Sequence, residues 1–151
     1  MDLRKAVIMA KDLYHETVKR ALEKDGWRIT HDPFTIRYDD LRVYADLGAE
    51  KTFTDVPKSY KIVVEIKVLG GVSKIEDFEQ ALGQFTLYRI LMEATNSERQ
   101  IFLAVSDEIY DKFFQREAIQ LVVRVQKMNL LIFNVEQEVI VKWIDFQNIV
   151  E

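Results

Sequence analysis

Residues 62–68 read "IVVEIKV", a β-branched run with a carboxylate and an ammonium two positions apart inside it. On a strand, residues two apart share a face, so Val63, Glu65 and Lys67 point one way and Val64, Ile66 and Val68 the other. A solvated sheet face carrying a surface ion pair would show the same pattern, at a gain of about 0 to 1 kcal/mol. A second carboxylate argues for chemistry instead. Asp46 lies in the preceding strand "RVYADLG", and a short antiparallel hairpin brings the ends of the two strands together. Two carboxylates that converge in a partly buried site repel, so they must bind a proton or share a cation. Hard cations such as Mg²⁺ take oxygen ligands and commonly use only one or two carboxylates. Such a cation generates a nucleophile from water and neutralises charge on a phosphodiester. Lys67 then sets a fixed positive charge beside the attacking water. Asp46, Glu65 and Lys67 together are the parts of a phosphodiester-cleaving site.

The elements that must hold these residues can be traced along the chain. Val7, Ala10, Tyr14, Val18, Ala21 and Leu22 recur at helical spacing over residues 3–24, and "KDG" closes the helix at Gly26. Residues 27–51 alternate apolar and polar between turn signals at Asp32-Pro33 and Asp39-Asp40, which predicts short antiparallel strands. "TDVPKS" reads as the next turn. "YKIVVEIKVLGG" follows as a third strand and is released by Gly70 and Gly71. Ser73, with Glu76 three residues on, forms a capping-box pattern that opens a long helix whose apolar stripe includes Phe78, Ala81, Leu82, Phe85 and Met92. "RQIFLAVS" is an almost wholly apolar strand, "DEIYDKFFQREAIQLVVRVQ" a helical stretch in two pieces, and "MNLLIFNV" with "EVIVKWID" a final strand pair. The expected order is helix, three strands, helix, strand, helix, two strands. That order implies an α/β fold with a mixed sheet flanked by helices.

Composition bounds the rest. A chain of 151 residues with 48% hydrophobic and 30% charged side chains is expected to fold as one domain spanning 1–151. The absence of cysteine excludes disulfides, thiolate metal sites and cysteine nucleophiles. No apolar run is long enough to cross a bilayer and the first residues carry no secretion-signal pattern, so the expected location is the cytoplasm, with no membrane partner. The net charge of −4 is not that of a free-standing nucleic-acid binder, although it leaves room for a local basic cleft. Cations and acids are interspersed along the chain, and no linear basic cluster marks a DNA-tracking groove. His31 with Asp32-Pro33 reads as turn chemistry, and Trp27 and Trp143 as core or interface aromatics.

Asp46 followed by "EIK" resembles the signature of the PD-(D/E)xK nuclease superfamily, whose helix, three strands, helix and strand follow the same order. Ala45 stands where that motif often has proline. "QFTLY", with Gln84 and Tyr88, is similar to the QxxxY element of the RecB-like branch; the i, i+4 spacing puts both residues on one flank of the helix. "KDLYHETVKRALEKDGWRITHDPFTIRY", "YADLGAEK", "KIVVEIKV", "IEDFEQALGQFTLYR" and "VIVKWI" resemble the XisH family over residues 11–144. That family is named after the excision-controlling factor of the fdxN element in filamentous cyanobacteria.

The resemblance implies a restriction-endonuclease-like fold and a role in site-specific DNA rearrangement. It implies Mg²⁺ or Mn²⁺ as cofactor, DNA as substrate, a XisI-like companion protein and, indirectly, a site-specific recombinase; it also admits a homodimer. Related nucleases often add an acid from the first helix. Here that position falls on His15, at the edge of the apolar stripe, while Glu16 faces solvent. The implied metal ligands are therefore Asp46, Glu65 and His15, and the catalytic set Asp46, Glu65, Lys67, Gln84 and Tyr88. Three functions stay open: a metal-dependent endonuclease or nickase, a non-catalytic subunit that keeps the nuclease fold to act with its companion, and a nuclease whose DNA contacts come from that companion.

Overall fold

The computed structural model of the chain describes residues 2–55, 58–95 and 97–148. Helix α1, Leu3–Lys24, starts where the Asp2 carboxylate accepts the N–H of Arg4 at 3.0 Å, and ends at Gly26, whose φ of +90° turns the chain back. Four strands follow: β1 Arg28–His31, β2 Phe34–Tyr38, β3 Leu41–Ala45 and β4 Leu47–Thr52. Then come β5 Ser59–Ile66, α2 Lys74–Ala94, β6 Gln100–Ser106, α3 Asp107–Lys112, α4 Glu117–Gln126, β7 Leu130–Asn134 and β8 Val139–Ile144. Ser73 caps α2 by accepting the N–H of Glu76 at 3.3 Å.

The expectation of three strands before the second helix is corrected to five. Turns at Asp32-Pro33 and Asp39-Asp40 and a bend at Asp46 cut residues 28–52 into four pieces. Two of them, β2 and β3, pair only with each other as a separate ribbon. The turn expected at "TDVPKS" falls partly outside the described residues, at positions 56–57.

The main sheet has six strands in the order β1-β4-β5-β6-β7-β8, with β5, β6 and β7 parallel and the outer pairs antiparallel. The fold is thus a mixed α/β arrangement. One sheet face packs Ile62, Val64, Ile66, Phe102 and Leu131 against Val18 and Leu22 of α1. The other packs Val63, Leu103 and Ile132 under Phe85 and Tyr88 of α2, under α3 and α4, and under Ile36 and Ala45 of the ribbon. The solvated face considered for Glu65 is therefore not there: strand β5 is central, both its faces are covered, and Glu65 is 4% exposed. Among the described residues no helix is long and apolar enough to cross a membrane.

Candidate functional site

The ladder between β4 and β5 ends with Leu47 opposite Val64, because the chain bends at Asp46 to leave the ribbon and enter β4. Asp46 is therefore on a bend between two strands and not inside one. Beyond the last ladder pair, side chains take over the backbone hydrogen bonding. The Asp46 N–H donates to Glu65 Oε1 at 3.2 Å, and the Ile66 N–H donates to Asp46 Oδ2 at 2.8 Å. The two carboxylates are held together because Glu65 bonds the Asp46 backbone and Asp46 bonds the backbone of Ile66, the residue after Glu65. Lys67, expected inside the strand, instead follows its last residue, Ile66, and places Nζ 3.2 Å from Glu65 Oε2, with only 19% of its side chain exposed.

This packing is costly for negative charge. Burial, then the Asp46 charge, push the Glu65 carboxyl up to about 7, against the opposing pull of Lys67 and Lys11. Tyr88 is raised as well, by burial first and then by Glu65 and Asp46. Its hydroxyl donates to the Tyr44 carbonyl at 3.2 Å, which ties α2 to the strand leading into Asp46. Gln84, one turn earlier on α2, has a buried Oε1 that accepts no hydrogen bond among the described residues.

His15 lies on the other side of Asp46. Its Nδ1 is 3.9 Å from Asp46 Oδ1, and its Nε2 is 2.7 Å from Asp32 Oδ1. Asp32 also receives Lys19 Nζ at 2.8 Å. Partial burial raises the Asp32 carboxyl, but the bonds and charges of Lys19 and His15 outweigh it and hold Asp32 below its usual range. The imidazole thus spans two carboxylates, one anchored and one at the strand ends.

The groups able to hold a cation are the carboxylates of Asp46 and Glu65, with His15 Nδ1 at their outer edge. Among the described residues, no three His, Asp or Glu side chains already converge into a metal cage. Two site members escaped the sequence. Lys19 could have been paired with His15, since i, i+4 residues share a helix face. Asp32, read only as a turn residue, meets them through the tertiary fold. His31 stands apart: it packs edge-on against Phe34 with ring centroids 4.9 Å apart, and burial followed by the nearby Arg99 charge push its pKa down. Trp27 and Trp143 pack together in the core against Phe102.

The family model described as XisH protein matches residues 8–141. The chain is similar to the crystal structure of an XisH family protein from Nostoc punctiforme PCC 73102, with 39% identity over 88% of this chain and 99% of that one, at a TM-score of 0.80. It is also similar to an fdxN element excision controlling factor protein from Anabaena variabilis, with 38% identity over 89% and 99% of the two chains and a TM-score of 0.81. No curated protein matches.

Proposed function

The chain belongs to the XisH family, and on that premise we propose that it controls excision of a DNA element by metal-dependent cleavage or nicking of DNA. In this reading the fold is restriction-endonuclease-like, and the ends of β4 and β5 form a PD-(D/E)xK active site. The observation that carries it is the reciprocal pairing of Asp46 with Glu65, with Lys67 3.2 Å away. Such an arrangement stores repulsion: Glu65 is buried and raised to about 7 chiefly by desolvation and by Asp46. A hard divalent cation fits this oxygen donor set, since a positive charge between the carboxylates offsets both penalties.

Asp46 and Glu65 would hold Mg²⁺ or Mn²⁺, with His15 as a further ligand better suited to Mn²⁺. When bound, the metal supplies Lewis acidity toward a phosphodiester and acidifies water. Lys67 holds its ammonium beside Glu65, where it orients the attacking water and offsets charge that develops on the phosphate. In this reading Gln84 and Tyr88 of α2 would flank the site. Tyr88 fixes the approach to Asp46 through the Tyr44 carbonyl, and the unpartnered Gln84 oxygen supplies an acceptor.

The test is nicking of supercoiled DNA with Mg²⁺ or Mn²⁺. Glu65→Ala and Lys67→Ala should abolish it, and unchanged cleavage in both variants would sink the assignment. Titration of Mn²⁺ into wild type and Asp46→Ala, alone and with the companion, establishes the metal site before any target sequence is known.

A second reading is favoured by exposed apolar side chains on the helices. Ile8, Met9 and Leu13 of α1, Leu87 and Ile90 of α2, and Leu121 and Val125 of α4 are each more than 40% exposed. Surfaces of this kind suit a protein partner. In this reading the chain is a non-catalytic subunit that acts with a XisI-like companion to control a site-specific recombinase. It predicts a stable complex with the companion and no metal-dependent cleavage, and failure of the two proteins to co-purify counts against it.

A further inference from the structure

Two clefts open at the C-terminal ends of β5 and β6, and residues 68–70 form a wall of both. The smaller, about 150 Å³, is lined by Lys67 itself, by Lys11 from α1 and by Asp77 from α2. The larger, about 540 Å³, is lined by Lys74, Lys112 and Arg116, with Glu108 among them. Five cationic side chains thus line the clefts beside two carboxylates, with Lys67 also paired with Glu65 at 3.2 Å, whereas the chain as a whole carries 21 basic and 25 acidic residues. The sign of the charge is reversed locally.

The two acids do little to cancel it. Asp77 is committed to the loop: its Oδ2 accepts the Gly71 N–H at 2.8 Å, and a Cβ at Gly71 would lie 2.9 Å from both of its oxygens. Glu108 pairs with Lys112 at 3.0 Å, but both side chains are 73% exposed, so the pair is weak and readily exchanged for another anion. Arg116 rests over the Phe113 ring, its guanidinium carbon 6.0 Å from the ring centroid. Lys74 hydrogen-bonds the Gly71 carbonyl, at 3.5 Å, and forms no ion pair among the described residues.

We propose that the two clefts form one phosphodiester-binding track, running from Lys67 and Lys11 past Lys74 to Lys112 and Arg116. Its ligand is the backbone of a nucleic-acid strand, free or as one edge of a duplex. The cations come from α1, the β5–α2 loop, the first turn of α2, α3 and the α3–α4 turn, so no linear basic cluster records the track. The larger cleft is the size of a small-ligand site and accepts a nucleotide unit, but not a whole duplex. The choice of DNA as probe rests on the proposed function; the track itself rests on charge and shape.

The experiment is anisotropy titration of fluorescent single-stranded and duplex DNA in EDTA, so that binding is read without cleavage. The triple variant K74E/K112E/R116E is compared with wild type and with K24E/K58E/K127E, which changes net charge equally at sites outside the clefts. Expected is at least a tenfold loss of affinity in the first variant at about 50 mM salt. Its plot of log affinity against log salt should flatten by about 2, from about 0.7–0.9 per lost phosphate contact. The milder K74Q/K112Q/R116Q and a thermal melt guard against misfolding. Equal losses in both glutamate triples, no loss in either, or no binding by wild type overturns the track, as does equal binding of polyglutamate. Retention by single strand alone or by duplex alone assigns the ligand form. Because metal is absent throughout, binding with no nicking elsewhere would leave the track standing and remove only the nuclease reading.

Discussion

Asp46 and Glu65 cross-link the strand ends: Glu65 Oε1 accepts the Asp46 N–H at 3.2 Å, and Asp46 Oδ2 accepts the N–H of Ile66, the residue after Glu65, at 2.8 Å. The same two groups that bring negative charge together also close the sheet where the β4–β5 ladder stops. Fold and chemistry are therefore coupled at one point.

Asp46→Ala should strip the Ile66 N–H of its acceptor and cost about 1–3 kcal/mol, read by urea denaturation without metal. Asp46→Asn keeps an oxygen there and should cost much less, yet still weaken Mn²⁺ binding. If both variants are equally unstable, the hydrogen bond is not what the carboxylate contributes to folding.

Stability of the metal-free protein should fall as pH rises toward 7. Glu65 is raised from an ordinary 4.5 to about 7 by burial first and by Asp46 second. Between those values the folded state binds more protons than the unfolded state, so the contribution is complete below about 4.5 and lost above about 7. Glu65→Gln should remove this slope and gain roughly 3 kcal/mol at most over wild type at pH 8. Denaturation midpoints of the two proteins across pH 4–8 decide it; parallel curves contradict the raised carboxyl.

Asp32→Asn should act on metal binding through His15. The Asp32 carboxylate fixes Nε2 at 2.7 Å and so leaves Nδ1 directed at Asp46. Loss of a carboxylate that orients a ligand histidine typically costs about 10–100-fold in metal affinity. Calorimetry with Mn²⁺ gives the affinity, and ¹⁵N shifts of His15 give the tautomer. An unchanged tautomer together with unchanged affinity would limit Asp32 to its salt bridge with Lys19.

Gly71→Ala should destabilise the loop between the two basic clefts. The new Cβ would sit 2.9 Å from the Asp77 carboxylate oxygens that cap this loop, and overpacking of this kind costs about 1–3 kcal/mol. Combined with Asp77→Ala the cost should be less than additive, because the clash and the bond share one partner. Additive losses in thermal melts would refute that coupling.

Much of this protein is legible in its sequence because local rules act without competition. Periodicity marks α1 and α2, Ser73 with Glu76 marks the start of α2, and the apolar run "QIFLAV" marks a strand covered on both faces. The period of two along "IVVEIKV" places Glu65 and Lys67 on one side, and Asp46 is the acid that comes before them. What the pattern could not supply is which neighbour covers that side. Alternation separates the two faces of a strand, but burial depends on what packs on each: α2 and the ribbon cover the Val63 face, and Glu65 is left 4% exposed.

The tertiary structure alone decided three further matters. It split residues 28–52 into four strands, since a bend at Asp46 is favoured by long-range bonds to Glu65 and Ile66 and not by local propensity. It brought Asp32 to His15, 17 positions away, because the turn after β1 packs back on α1. It also gathered cations from five segments around residues 68–70. The sequence by itself determined the chemical groups and the faces they occupy; long-range closure of the sheet determined which of them meet, because hydrogen bonds and charge repulsion act through space and spacing along the chain does not encode that distance.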